Sequence, residues 1–132
     1  MKRKSKKEEF PLSIYEANVL LPILVTALKT KKGKANAVKS RQMVEALRYY
    51  GIKLTDKQVF KLVNYIRMND LIVGLRSSSA GYYIISSEQD FIYYEDILQS
   101  REAALKKLRL CMKRQRKSMF SHLSQKQTRW RF

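Results

Sequence analysis

The sequence predicts a mainly α protein with one small β-hairpin, an α+β arrangement that ends in a long C-terminal helix and a basic tail. Two observations predict this fold class. A capped amphipathic segment over residues 55–70 is followed directly by two short runs of branched and aromatic residues around a small-residue turn. Farther along, apolar residues recur at seven-residue intervals from Phe91 to Met112, which is typical of a long helix. A chain of 132 residues is long enough to bury one modest core.

These patterns divide the chain into four parts. The parts are a flexible basic arm (residues 1–12), a folded domain (residues 13–86), a long C-terminal helix (residues 87–117) and a basic tail (residues 118–132). Within the folded domain, Ser13 and Glu16 have the spacing of a capping box, which predicts a first helix over about residues 16–30. Pro22 should kink or restart that helix, because proline lacks a backbone N–H.

The next two predicted helices are joined by a short connection. Ser40 is the expected cap of the second helix, which ends at Gly51. Thr55 caps the third helix, whose apolar residues fall on one face. That buried stripe consists of Val59, Leu62, Val63 and Ile66. The short connection requires the two helices to cross steeply, as in a helix-turn-helix.

After Asp70 the pattern changes to that of a hairpin and then returns to a helix. Strands are predicted over residues 71–75 and 81–85, with residues 76–80 as the tip. Ser87 is the expected cap of the fourth helix, and the acidic residues after it complement the helix dipole.

Charge is both large and segregated along the chain. The formal net charge is +17, from 28 Lys and Arg against 11 Asp and Glu. Residues 29–41 hold six basic side chains and no acidic one, and residues 101–132 hold eleven basic side chains against Glu102 alone. Residues 71–100 have the opposite balance, with Arg76 as their one base. Segregation of this kind predicts a polyanionic partner, and a merely solubilising basic surface is the alternative.

Residue types needed for most catalytic sites are scarce. The chain has one cysteine and one histidine, so neither a disulfide framework nor a Cys–His site can be assembled. Glu88, Asp90, Glu95 and Asp96 cluster at the start of the fourth helix, where capping explains them more simply than a metal nuclease site. We therefore expect no enzyme activity, no metal and no cofactor. The apolar run over residues 19–28 is too short to cross a bilayer, so no membrane association is expected.

The chain resembles the winged helix-turn-helix superfamily, and in particular small bacteriophage proteins of that class. The resemblance rests on Tyr65-Ile66-Arg67-Met68-Asn69-Asp70, which ends the third helix, and on Gly81-Tyr82-Tyr83-Ile84 of the hairpin. It covers about residues 16–90. It implies double-stranded DNA as the ligand, the third helix in the major groove, and hairpin contacts to the backbone or minor groove. For a phage-encoded protein, the expected location is the host cytoplasm or nucleoid, with the virion as the alternative.

The candidate nucleic-acid contacts fall into three groups. On the third helix they are Lys57, Gln58, Lys61 and Asn64, whose charged and amide groups suit phosphates, guanine and adenine. At the hairpin tip they are Arg76, Ser77 and Ser78, and in the basic loop they are Lys31, Lys32, Lys34, Lys39 and Arg41. For each group the alternative is an ordinary solvated surface, which an amphipathic helix, a turn or a loop presents in any case.

Two function classes follow from the sequence. The first is a non-catalytic, sequence-selective or architectural double-stranded DNA-binding protein in regulation, replication or genome handling, with RNA as a second candidate ligand. The alternative is a structural or assembly protein of a virion or ribonucleoprotein particle. In either class, the seven-residue apolar series predicts a homodimer or larger assembly through Leu105, Leu108 and Met112 of the C-terminal helix, with a second copy favoured over a different protein. The near half of that helix is expected to pack on the chain's own core through Phe91, Tyr94, Ile97 and Leu98. Arg101 argues against a dry seam, because it falls where the spacing calls for an apolar residue.

Overall fold

The computed structural model describes residues 11–129 and the side chains of residues 11–121. The chain is helical from residue 14 to residue 28, with a π-helical segment over Glu16–Leu20 and the α-helix α1 over Leu21–Leu28. The remaining elements are α2 (Ser40–Tyr49), α3 (Asp56–Met68), β1 (Leu75–Ser78), β2 (Gly81–Ile84) and α4 (Glu88–Arg129). These elements confirm a mainly helical chain with a two-stranded antiparallel hairpin and a long C-terminal helix. The chain forms two compact units, which divide after Phe91.

The first helix accommodates Pro22 without ending. Before the proline the helix widens by one residue, since the Leu21 N–H donates to the carbonyl of Glu16 five residues earlier. Leu20, Leu24 and Leu28 are fully or almost fully buried, four residues apart on one side of the helix. The predicted kink or restart at Pro22 therefore takes the form of a local π-helical turn just before the proline.

Helices α2 and α3 have the ends that the sequence predicted, except at Ser40. The Thr55 hydroxyl accepts from the Gln58 N–H at 3.1 Å, and Gly51 adopts a positive φ of 77° after α2. All four residues of the predicted α3 stripe are buried. The prediction for Ser40 is wrong, because Ser40 is the first residue of α2 and its hydroxyl donates to Asp56 Oδ1 at 2.6 Å.

The basic loop between α1 and α2 is hydrogen-bonded to the hairpin. The N–H groups of Val38 and Tyr82 each donate to the carbonyl of the other residue, at 3.0 and 2.8 Å. At the opposite end of β2, Gly33 donates to the Ile84 carbonyl at 3.0 Å and Ile84 donates to the Lys31 carbonyl at 2.7 Å. We call residues 31–38 the strap. The strap occupies the edge of β2 that β1 leaves open, so the predicted solvated alternative does not describe its backbone.

The first predicted strand is displaced along the chain. Residues 71–74 form a turn rather than a strand, because Asp70 and Gly74 adopt positive φ values of 55° and 85°. The Leu71 N–H donates to the Ile66 carbonyl at 3.0 Å, so it bonds back to the end of α3 and not to another strand. Strand β1 therefore includes Arg76, Ser77 and Ser78, which were predicted to lie in the tip. The tip contains only residues 79–80.

The C-terminal helix is longer than predicted. Its start agrees with the expected cap, since the Asp90 N–H donates to the Ser87 hydroxyl at 3.1 Å. The predicted end near residue 117 is wrong, because α4 continues to Arg129 through most of the predicted tail. Long unbranched side chains favour helix, and neither glycine nor proline occurs after Gly81. Residues 1–10 of the predicted basic arm and residues 130–132 of the predicted tail lie outside the described residues.

Candidate nucleic-acid interface

The outward face of α3 has a mixed chemical character. Lys57 is exposed and makes no side-chain hydrogen bond or ion pair to the described part of the chain. Phe60 and Met68 lie farther along the same face with exposed fractions of 60% and 84%, and Asn64 is half-buried between them. This face lies opposite the buried stripe, so the helix presents it to solvent.

Two of the predicted contact residues turn away from this face and bind Glu16. The Lys61 ammonium lies 2.8 Å from Glu16 Oε1, and the Gln58 amide nitrogen donates to Glu16 Oε2 at 3.2 Å. The Gln58 amide oxygen accepts from the Thr55 N–H at 3.1 Å. Both ends of the Gln58 amide are therefore occupied. A paired contact to adenine would require Gln58 to exchange both partners.

Glu16 is the buried polar residue that holds this cluster together. Its exposed fraction is 5%, and its Oε1 also accepts from the Ser13 N–H at 2.9 Å. The hydrogen bond from Lys61 lowers the pKa of the Glu16 carboxyl below its ordinary value, assisted by Ser13 and Gln58 and opposed by burial. The carboxylate is thus the favoured form, and it joins the first helix to α3.

Asn64 is coupled to the hairpin through Arg67. The Arg67 guanidinium donates to Asn64 Oδ1 at 2.6 Å and to the Ser77 hydroxyl at 3.3 Å. These two bonds connect the end of α3 to β1. The acceptor oxygen of Asn64 and the hydroxyl of Ser77 are therefore hydrogen-bonded within the fold. Arg67, which donates both bonds, lies beside the outward face of α3.

The hairpin tip satisfies much of its own hydrogen bonding. The Ser78 hydroxyl donates to the Gly81 carbonyl at 3.0 Å and accepts from the Ala80 N–H at 3.1 Å. Arg76 is half-buried, with its Nε donating to the Ser77 carbonyl at 3.2 Å and its guanidinium carbon 5.6 Å from the centre of the Tyr83 ring. The predicted tip residues Arg76, Ser77 and Ser78 thus lie in β1, and their polar groups bond within the hairpin or to Arg67.

On its other flank, the outward face of α3 meets the start of α2. The Ser40–Asp56 hydrogen bond joins the first residues of the two helices. A shallow depression at this junction is lined by Lys39, Ser40, Arg41, Gln42, Asp56 and Tyr82. Burial raises the pKa of Tyr82, with Arg67 lowering it and Asp56 raising it. Tyr82 therefore lies within electrostatic reach of both ends of α3, and the exposed Lys39 and Arg41 lie beside the first turn of that helix.

The other three predicted loop residues, Lys31, Lys32 and Lys34, lie in the part of the strap before Val38. Lys31 and Lys32 lie at the level of Ile84, at the end of β2 away from the hairpin tip. Lys34 begins the short 3₁₀ turn Lys34–Asn36 that separates them from Val38. The strap thus divides the basic loop into two groups, of which the group with Lys39 and Arg41 adjoins α3.

Two residues important to this surface were not among the predicted contacts. Glu16 was assigned only to a capping box, and that box is present, since the Glu16 N–H donates to the Ser13 hydroxyl at 3.1 Å. Its second role depends on Lys61, 45 positions away, and no local pattern reveals it. Arg67 offered a weak signal, because it lies three residues after Asn64 on the same helix.

The described part of the chain offers neither a metal site nor a helix that could span a membrane. Among residues 11–121, whose side chains the structure describes, no three His, Cys, Asp or Glu side chains come together as a metal site would require. In the same part of the chain, no helix combines the length and apolar character needed to cross a membrane.

Comparison with known proteins adds no assignment. The chain was compared with protein-family models, curated proteins and solved structures, and none of the three comparisons found a match.

Proposed function

We propose that this chain is a non-catalytic double-stranded DNA-binding protein of the winged helix-turn-helix type. In this proposal α3 enters the major groove, and the hairpin and the start of α2 contact the backbone on either side. The short α2–α3 connection and the hairpin directly after α3 support it, as does the strap that anchors β2. Fold type alone does not decide function, so the proposal depends on the charged groups around α3.

The observation that carries the proposal is the position of cations on both flanks of α3. Lys39 and Arg41 adjoin its first turn, Lys57 lies on its outward face, and Arg67 links its last turn to the hairpin. Phosphates of the two DNA strands border the major groove, so a helix placed in it needs positive charge on both sides. The formal net charge of +17 supplies long-range attraction to the same ligand.

The contacts within the fold also suggest how roles divide among the predicted residues. Lys39, Arg41 and Lys57 contact phosphates in this proposal, whereas Gln58 and Lys61 fix the orientation of α3 through Glu16. Met68 and Asn64 remain as the groups nearest to base edges. Few polar groups are then available for direct base readout, which favours architectural or weakly selective binding over strict sequence recognition.

A salt titration tests the proposal. If about five to eight phosphates are contacted, log K for a duplex of about 20 base pairs should fall against log salt with a slope of roughly −4 to −7. Single-stranded DNA and duplex RNA of the same length serve as competing ligands and should bind more weakly. An affinity that does not respond to salt, or a clear preference for RNA, would contradict the proposal.

A second candidate is an assembly protein of a virion or ribonucleoprotein particle. It is favoured by the exposed apolar side chains of α4, including Leu105 at 66% and Leu108 at 54% exposure, which suit contacts with protein. Selection from a random duplex pool separates the two candidates. Recovery of a common motif supports a regulator, whereas strong salt-sensitive binding without a motif supports packaging or assembly.

A further inference from the structure

Helix α4 carries an exposed apolar series at the spacing of a helix–helix interface. Leu98, Leu105 and Met112 are spaced by seven residues and are exposed by 44%, 66% and 49%. Leu108 follows Leu105 by three residues and is also exposed. Long helices in water take most of their stability from packing an apolar face. We call these four residues the seam.

A second series at the same spacing borders the seam and changes sign halfway along. The residues four positions after Phe91, Leu98, Leu105 and Met112 are Glu95, Glu102, Arg109 and Arg116. All four are exposed, and none makes an ion pair with another described residue. We call them the flanking series. Its two acids, Glu95 and Glu102, precede Leu105, and its two bases, Arg109 and Arg116, follow Leu108.

We propose that two copies of this chain associate through the seam with their α4 helices antiparallel. In an antiparallel pair the flanking series of one helix faces the flanking series of the other, in reverse order. If the helices cross between Leu105 and Leu108, Glu102 faces Arg109 of the second copy and Glu95 faces Arg116. Positions that flank a coiled-coil seam commonly set partner choice and orientation through such pairs.

Parallel pairing would lose this complementarity. The flanking series would then face the positions one residue before Leu98, Leu105 and Met112, which are Ile97, Ala104 and Cys111 and carry no charge. In addition, residues 103–121 contain seven bases and no acid, and parallel helices would place these bases side by side. Both features favour the antiparallel arrangement, and this inference does not depend on the proposed function.

Charge exchange along the flanking series tests the pairing. The variant Glu95→Arg with Glu102→Arg makes the series entirely basic and should weaken self-association about tenfold or more, as measured by sedimentation equilibrium of nuclease-treated full-length protein. Adding Arg109→Glu and Arg116→Glu reverses the series without changing its composition, and should restore association. Asp96→Arg is the matched control, because position 96 lies five residues after Phe91 and turns away from the seam.

A distance measurement fixes the orientation. Spin labels at Ser118→Cys, in a Cys111→Ser background, should lie about 35 Å apart in the antiparallel pair, since 23 residues of helix separate the two positions along the axis. Parallel helices would hold these labels at one level, within about 20 Å, because helix axes pack 8–10 Å apart. A short label distance, a monomer at 100 μM or a failure of the exchanged variant to associate would each overturn the proposal.

Discussion

Glu16 and Lys61 form an ion pair that joins the first helix to α3, with 2.8 Å between Oε1 and Nζ. Glu16 also receives hydrogen bonds from Ser13 and Gln58, so the buried carboxylate has partners on both helices. A buried charge needs such partners because desolvation is costly. The pair therefore fixes the placement of α3, and with it the surface proposed for DNA.

Glu16→Gln should destabilise the protein. The substitution keeps the shape of the side chain but removes the charge that Lys61 binds, so the free energy of unfolding should fall by about 1–3 kcal/mol. Urea denaturation at pH 7 and one fixed protein concentration measures it. Glu45→Gln is the control, since Glu45 is exposed on α2 and should change stability by less than about 0.5 kcal/mol. Equal stability of both variants would contradict a structural role for the pair.

The same pair should make stability depend on pH in the acid range. The folded-state pKa of Glu16 lies below the ordinary value of 4.5, so folding favours the carboxylate. Its contribution is fully present above about pH 5 and is lost as the pH falls through the folded-state pKa. The stability difference between the natural protein and Glu16→Gln should therefore shrink as the pH falls from about 5 to about 3. A difference that grows on acidification would contradict the assignment.

Lys57→Ala should lower DNA affinity and leave stability nearly unchanged, whereas Gln58→Ala should lower stability and leave affinity nearly unchanged. Lys57→Ala removes an exposed cation from the proposed interface, so duplex affinity should fall about three- to tenfold and the salt slope should become shallower by about one. Stability should hardly change. Fluorescence anisotropy measures the affinity, and Lys29→Ala, which removes the same charge at the end of α1, should lower it by less than about twofold.

Gln58→Ala removes the amide that bonds Thr55 and Glu16. The free energy of unfolding should fall by about 1–2 kcal/mol, since one capping bond and one bond to a buried carboxylate are lost. Duplex affinity, measured well below the unfolding temperature, should stay within about twofold for preferred and random sequences alike. A large loss confined to a preferred sequence would instead show that Gln58 reads bases, as the sequence first suggested.

Structural features that depend on residues close together in the sequence were predicted correctly, and those that depend on distant residues were not. Thr55, Ser13 and Ser87 were assigned correctly as caps because each bonds within three residues of itself. The pairing of the strap with β2 and the position of β1 were not predicted. Both depend on β2, and the serine-rich segment of β1 has no alternating pattern of its own. On α3 the periodicity indicated which side chains are polar and outward. It could not show that Lys61 binds a carboxylate 45 residues away while Lys57 remains exposed.

Gly81→Ala should test the pairing between the strap and β2. Gly81 has a φ of 119°, and a Cβ there would lie 2.5 Å from the Val38 carbonyl oxygen, a backbone atom of the strap end that cannot rotate away. The substitution should lower the free energy of unfolding by about 2–4 kcal/mol, combining backbone strain with separation of the strap from β2. Gly51→Ala is the matched control, because Gly51 also has a positive φ but open space around it, and should cost only about 1 kcal/mol.

Hydrogen exchange adds a local readout, since the Val38 and Tyr82 amides bond each other's carbonyls and should lose protection in Gly81→Ala alone. If the two glycine variants are equally stable and equally protected, the strap does not pack against β2 as described, and Lys39 and Arg41 lose the anchor that holds them beside α3.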